Sequence, residues 1–310
     1  MPKSASIGIC LIAIFTFLSC NRAGSQKNTS QGNFRLNGKL TFLEYQPYRG
    51  VPVGIVEVNL SDIRKKRLGY GSHPWRHAKG DIILAKGCGD DVNRLVIHEE
   101  NGKETIVSMC SSEIPNPGYL STAFEFARLS PDKKLIAAEA KYYLNNGYRY
   151  STVIIKNKEI IKVFDNFGAP EWLPDGRLLL VSDGMYITEI NGTLKKIDDG
   201  TLSSGPNNPD LDPSGKRIAF EWNQRIWVMD IDGSNLKEIA SGNALYRFPA
   251  WSPNGKYVAF LAHEGYSFTG WYRGVYVVEV DSGKHQYIDF THLLDGELGN
   301  VPFGPLSWTE

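Results

Sequence analysis

The chain has 310 residues, with 34 Lys plus Arg against 34 Asp plus Glu, so its formal net charge is zero. That balance removes any global electrostatic pull toward nucleic acid or an anionic membrane surface. The length suffices for two small domains or one large all-β domain with a full core.

The N-terminus reads as a targeting segment and stays outside the fold. Lys3 supplies a weak positive start, and Ile7–Leu18 is apolar but for Thr16. That stretch is shorter than the ~20 residues a spanning helix needs. Ser19-Cys20 and the polar run NRAGSQKNTSQGN follow it. The layout resembles a bacterial lipoprotein signal: residues 1–19 are removed and Cys20 becomes the lipidated first residue. Phe17 stands where such signals usually carry an aliphatic, and an ordinary secretory signal cut nearby is the alternative. Either reading places the mature chain outside the cytoplasm. Residues 20–33 then form a flexible tether reaching roughly 20 Å, and residues 34–310 form the folded domain. Two further cysteines of interest, Cys88 and Cys110, lie in that domain. In an oxidising compartment such a pair suits a disulfide better than a metal site, with two buried thiols as the alternative.

From residue 35 onward a repeat runs through the chain. RLNGKLTFLEY (35–45) opens it with a turn and a strand. HPWRHAKGDIILA (73–85), FARLSPDKKLIAAEA (126–140), APEWLPDGRLLLVS (169–182), NPDLDPSGKRIAFEW (208–222) and FPAWSPNGKYVAFLA (248–262) add a preceding strand, mostly entered through Pro. The turn positions Gly38, Gly80, Lys133, Gly176, Gly215 and Gly255 are 42, 53, 43, 39 and 40 residues apart. Pro-Asp-Gly, Pro-Ser-Gly and Pro-Asn-Gly make tight turns in which Gly takes φ > 0, and the β-formers after them suit burial between sheets. A second hairpin follows in most units, as in RIWVMDIDGSNLKEIA (225–240). The basic run Arg64-Lys65-Lys66-Arg67 belongs on a solvated outer strand or turn of the first unit. A period near 40 with four short strands per unit predicts an all-β, six-bladed β-propeller. The first unit lacks its innermost strand, and VPFGPLSWTE (301–310) supplies a spare one. That C-terminal strand is predicted to pair into the first blade and close the ring, covering edges an open stack would expose.

PAWSPNGKYVAF, PEWLPDGRLLLV and PDLDPSGKRIAF resemble the repeat of TolB-type, WD40-like six-bladed propellers, which also occurs in the propeller domains of prolyl-oligopeptidase relatives. The resemblance implies the fold; its residues make turns and blade packing, not chemistry. The N-terminal α/β domain of TolB and the hydrolase domain of the peptidases are expected to be lacking.

Catalytic patterns are missing from the sequence. GTLSSG (200–205) does not have the spacing of a nucleophile elbow, and no Gly-rich phosphate loop precedes a helix. His73 and His77 have a helical zinc spacing but sit where a strand enters a turn, so they read as structural or surface residues. DIDGSN (230–235) lacks the closing Glu of a calcium loop and reads as a hairpin turn. No catalytic residue, metal or cofactor is assigned.

In a four-stranded blade the second-to-third strand connections share one face of the disc. They read as short in blades four and five but as long loops in blades six, one, two and three: 263–274, 44–54, 86–94 and 141–150. Three of these are rich in Tyr, Trp and Arg, the residues enriched at binding hot spots. The candidate partner-binding residues are Tyr45, Tyr48, Tyr142, Tyr143, Tyr148 and Tyr150, with Tyr266, Phe268, Trp271, Tyr272 and Arg273 from blade six. The competing reading is that they pack on one another to hold long loops. A Cys88–Cys110 disulfide would staple the same face. These features predict a monomeric, lipid-anchored, extracytoplasmic scaffold that binds an envelope protein or glycan, touches the membrane only through its anchor, and binds no nucleic acid. The alternative is a carbohydrate-active or other hydrolase or lyase propeller working at the mouth of the central channel.

Overall fold

The computed structural model describes residues 32–46, 51–77, 80–89, 92–113, 121–144, 146–202, 205–242, 244–264, 274–290 and 301–310. These form six antiparallel four-stranded sheets. Blade 1 holds β1 (Lys39–Gln46), β2 (Val51–Asn59) and β3 (Arg64–Gly69). Blade 2 runs through β4 (Ser72–Arg76), β5 (Ile82–Gly89), β6 (Val92–His98) and β7 (Glu104–Ile106). Blade 3 is β8 (Ser121–Leu129), β9 (Ile136–Leu144), β10 (Gly147–Lys156) and β11 (Glu159–Asp165). Blade 4 comprises β12 (Gly168–Trp172), β13 (Leu178–Val181), β14 (Met185–Thr188) and β15 (Lys195–Lys196). β16 (Asn207–Leu211), β17 (Arg217–Trp222), β18 (Arg225–Asp230) and β19 (Lys237–Ala240) make blade 5. Blade 6 follows with β20 (Ala244–Trp251), β21 (Tyr257–Glu264), β22 (Gly274–Glu279) and β23 (His285–Asp289).

The last strand, β24 (Val301–Thr309), pairs antiparallel with β1 from Lys39↔Thr309 to Tyr45↔Val301, giving blade 1 the order β24-β1-β2-β3. The predicted closure therefore holds. The innermost strands β24, β4, β8, β12, β16 and β20 neighbour one another in that order, and β20 returns to β24. Each boundary between blades carries its own apolar cluster. Leu40 and Phe42 of blade 1 pack with Ala259 and Val275 of blade 6, and Leu43 and Ile55 of blade 1 meet Leu84 and Val96 of blade 2. The other four boundaries are filled in the same way. The core is thus a ring of six intersheet layers, held by burial of the alternate side chains on both faces of each sheet.

All six turn positions read from the repeat have left-handed backbone: Gly38 (φ 93°), Gly80 (94°), Lys133 (61°), Gly176 (87°), Gly215 (67°) and Gly255 (65°). A second repeat feature lies inside the innermost strands. His73 (φ 49°), Phe126 (46°), Ala169 (43°), Asn208 (46°), Phe248 (55°) and Gly304 (73°) occupy equivalent positions, each where the pairing register slips at a bulge. In five of the six strands the next residue is Pro (74, 170, 209, 249 and 305); in blade 3 it is Ala127. Proline has no N–H to lose where the ladder is broken, which explains the Pro of the repeat.

The inner edge of each blade would leave strand N–H groups unpaired toward the channel. Side chains meet several of them. The N–H of Arg76 donates to Ser307 Oγ (3.0 Å), that of Trp251 to Asp210 Oδ2 (2.7 Å), and that of Phe124 to Asn93 Oδ1 (2.7 Å). In each case the acceptor belongs to the preceding blade.

The basic run Arg64–Arg67 lies on the outer strand β3, as expected. There Arg67 pairs with the buried Glu44 at 2.7 Å. At the other end of the domain, the N–H groups of Gly32 and Phe34 donate to His285 O (2.7 Å) and Gln286 Oε1 (2.8 Å) of β23. The chain therefore enters the disc beside the outer rim of blade 6.

Candidate docking face on blade 3

Three connections predicted as long loops are strand extensions. In blade 1 pairing continues to Gln46↔Val51, in blade 2 to Gly89↔Val92, and in blade 3 to Leu144↔Gly147. In blades 1 and 3 the cause is composition: Tyr and Val extend a pleated pair, so the chain stays in strand nearly to each tip. Blade 2 extends instead through Lys86, Gly87, Asn93 and Arg94. In blade 3, β8 joins the extension through Ser121↔Tyr143 and Thr122↔Tyr142, making a three-stranded wing. Tyr48, Tyr266, Phe268, Trp271, Tyr272, Arg273 and Cys20 lie outside the described residues.

Directly opposed residues on an antiparallel pair share a face. Tyr143↔Tyr148, Lys141↔Tyr150 and Glu125↔Glu139 therefore place these six side chains on one side of the wing, toward blade 4. Tyr142, opposite Arg149, turns the other way and packs against the apolar layer between blades 2 and 3. Tyr45 sits at the root of blade 1, partly buried, with its ring 5.1 Å from that of Phe303. The predicted tyrosines are thus divided: Tyr143, Tyr148 and Tyr150 are brought together, while Tyr142 and Tyr45 are packing residues.

The cluster has a definite electrostatic structure. Lys141 Nζ lies 4.5 Å from the Tyr148 ring centre and 5.6 Å from that of Tyr143, and 3.5 Å from Glu125 Oε2. Burial works against its charge, but Glu125 and the two phenols outweigh it, and the ammonium sits above its ordinary pKa range. Burial likewise pushes the Tyr143 and Tyr150 hydroxyls up, helped by Glu125 and Glu139 respectively. Tyr148 is 58 % exposed, the outermost ring of the set.

At the root of the wing, Glu139 Oε2 accepts the N–H of Ala169 in blade 4 at 3.0 Å. Burial pushes its carboxyl up to about 7, against that hydrogen bond and with help from the charge of Glu125. A Cβ on Gly168 would lie 2.3 Å from Glu139 Oε2, so a larger residue there would displace this carboxylate. His73 packs edge-on to Phe126 (5.2 Å), and its buried Nδ1 has no hydrogen-bond partner. Burial holds its pKa below the usual imidazole value. His73 is thus structural, as its place in the repeat suggested. Among the described residues no group of His, Cys, Asp and Glu is arranged to hold a metal ion.

Further round the ring, Arg128 Nε donates to Glu171 Oε2 at 2.8 Å across the boundary of blades 3 and 4, with both side chains buried. The Arg128 guanidinium also lies 5.2 Å from the Trp75 ring centre. Burial and the charge of Glu171 push the Asp210 carboxyl up to about 8.

Cys88, at the end of β5, is bonded to Cys110 with a Cα–Cα distance of 6.2 Å. The disulfide ties the blade 2 hairpin to the segment that follows β7 and stabilises by about 3 kcal/mol in the chain-entropy account. The acidic partners at the wing's root were not read from the sequence. The signal available was Glu139 inside the otherwise β-forming run IAAEAKYYL.

No family model matches the chain. It is similar in structure to TolB from Acinetobacter baumannii (14 % identity, TM-score 0.64), over 88 % of this chain and 67 % of that one. The putative TolB from Agrobacterium tumefaciens gives 16 % identity and a TM-score of 0.54, over 87 % and 93 % of the two chains. An oligogalacturonate lyase from Vibrio parahaemolyticus gives 11 % and 0.52, over 84 % and 78 %. At these identities the likeness is one of fold. With its six blades, Pro-x-Gly turns and C-terminal closing strand, the chain has the fold of a TolB-like six-bladed β-propeller.

Proposed function

We propose that the chain is an extracytoplasmic binding propeller, held to a membrane through lipid on Cys20, that docks an envelope protein on the face carrying the blade 3 wing. One observation carries the reading: Tyr148 stands exposed at the end of an ordered series of Tyr148, Lys141, Tyr143 and Glu125, fixed on paired strands. Rigid aromatics on one side of the wing, with the exposed Arg149 on its other side, offer large contact area at low entropic cost, the character of an interface hot spot. The Cys88–Cys110 disulfide supports an oxidising compartment, and the entry of the chain beside β23 would set the tether at the rim of blade 6. Tyr48 of blade 1 and the predicted residues of blade 6 belong to the same proposed face, with Tyr45 packed beneath it. The propeller acts as a monomer and contacts the bilayer through its anchor alone.

The test is crosslinking capture from the native envelope with the parent chain and with a folded Tyr148→Ser/Arg149→Ala variant. A protein crosslinked by the parent and lost from the variant supports the reading. Identical capture by both would remove the wing from the interface. Cys20→Ser should move the protein from the membrane to the soluble fraction.

A second reading, a carbohydrate-active or other hydrolase or lyase propeller, draws on Glu139, whose carboxyl at about 7 matches the range useful to a general acid or base. Turnover of polysaccharide substrates that falls in Glu139→Gln would favour it.

A further inference from the structure

Between blades 5 and 6, on the face that carries the blade 3 wing, lies a cavity of about 130 Å³. An apolar cavity of about 150 Å³ is known to hold benzene, so this space, open on one side, admits part of a single substituted ring and leaves the rest at its mouth. Its inner wall is Glu221, which is buried. Oε1 of Glu221 accepts from Asn208 Nδ2 (2.7 Å) and from the N–H of Phe248 (2.6 Å), leaving Oε2 for the cavity. Asn207 and Gln224 add amides, Arg247 a guanidinium, and Tyr246 an aromatic ring. Trp222 borders the space but turns its ring into the layer between blades 4 and 5, edge-on to Trp227. The side chains of Gln224 and Arg247 make no hydrogen bond among the described residues, and Arg247 is exposed.

This lining restricts the ligand. A hydrocarbon ring would strip water from a carboxylate, two amides and a guanidinium and return no hydrogen bonds. A simple anion would use Arg247 but meet the carboxylate of Glu221 and leave the Tyr246 ring idle. A polyhydroxylated ring satisfies both parts: one C–H face lies against Tyr246, and its neighbouring hydroxyls bridge flat donors and acceptors. We propose that the cavity between blades 5 and 6 binds a single sugar ring, the terminal or branching residue of a glycan. The equivalent strand positions of the other blades do not repeat the amide and acid together, although blade 3 has Glu139, opposite Glu125, where blade 5 has Glu221. Where blade 5 has Asn207 opposite Glu221, blade 4 has Gly168 opposite Val181 and blade 2 has Ser72 opposite Ala85. The site is independent of the wing and of the docking reading.

The experiment is saturation-transfer NMR on the full chain with a mixture of methyl hexopyranosides, N-acetylhexosamines and hexuronates, repeated on Arg247→Ala, Gln224→Ala and Tyr148→Ser. Melting curves establish that each variant is folded. At least one sugar should bind in the millimolar range, weaken about tenfold or more in Arg247→Ala, weaken in Gln224→Ala, and bind Tyr148→Ser as it binds the parent. The proposal fails if no sugar in the mixture saturates. It fails equally if binding survives both cavity variants unchanged, or is lost in Tyr148→Ser, which would put the sugar on the wing.

Discussion

Glu139 and Ala169 are joined by a 3.0 Å hydrogen bond across the boundary of blades 3 and 4, and Glu221 makes the equivalent bond to Phe248 across the boundary of blades 5 and 6. In both, a carboxylate from a second strand receives the N–H of the left-handed bulge residue in the next blade. An inner-edge donor is satisfied this way, at the cost of burying an acid.

That cost has a pH signature. The Glu139 carboxyl titrates near 7 in the folded chain against 4.5 for its ordinary value. An acid whose native pKa is raised binds more protons folded than unfolded. Its destabilisation therefore grows as pH rises from about 4.5 to 7 and is complete above. Glu139→Gln keeps the acceptor for Ala169 and removes the charge. It should raise stability by about 1–3 kcal/mol at pH 8 and change little at pH 5. Urea denaturation at the two pH values checks this; an equal effect at both would refute it.

The Arg128–Glu171 pair predicts an asymmetry between single and double variants. Arg128→Met leaves Glu171 buried without its cation and should cost about 3–5 kcal/mol at neutral pH. Adding Glu171→Leu should restore much of the loss, since the desolvated charge goes with it. A double-variant cycle by chemical denaturation measures the difference; a double variant worse than Arg128→Met would refute it.

Ring closure rests on a small set of side chains in β24. Trp308 is 7 % exposed, and its Nε1 donates to Asn37 O at 2.9 Å. Trp308→Ala should destabilise by about 3–5 kcal/mol. Removal of residues 301–310 should broaden or split the thermal transition by uncoupling blade 1 from blade 6. An unchanged melting curve for the truncated chain would remove β24 from the closure.

Lys133 is the non-glycine among the six left-handed turn positions, and it pairs with Asp81 of blade 2 at 2.5 Å. Lys133→Ala and Lys133→Gly both lose that pair, but only glycine takes φ near 61° without a Cβ penalty. The glycine variant should exceed the alanine variant by about 1 kcal/mol. Equal melting temperatures would show that the turn relaxes instead.

The fold was legible because its signals are local. A left-handed residue in a tight turn selects Gly, so Gly38, Gly80, Gly176, Gly215 and Gly255 mark the period directly, and Lys133 could be placed by its neighbours. The inner-strand bulges were not legible. His73, Phe126, Ala169, Asn208 and Phe248 share no chemistry, because register slip imposes their backbone and not side-chain preference. The blade 3 hairpin looked like a loop because Asn145-Asn146-Gly147 dominates the pattern, although the tyrosines on either side are strand formers. Tyr142 and Tyr143 are adjacent in sequence yet serve opposite faces, a period-two consequence that needed the pairing to be known. The carboxylates Glu139 and Glu221 stayed hidden because the N–H groups they accept belong to another blade.

The pairing of β24 with β1 also orders events during synthesis. Blades 2 to 6 are each continuous in sequence, so their hairpins form from near neighbours as the chain emerges. Blade 1 is different: β1, β2 and β3 are made first, and the strand that covers β1 is made after all of them. Through that interval the edge beside Leu40 and Phe42 is a bare template for pairing. A chain halted before residue 301 would keep that edge, and an unfinished copy could then borrow the closing strand of a finished one.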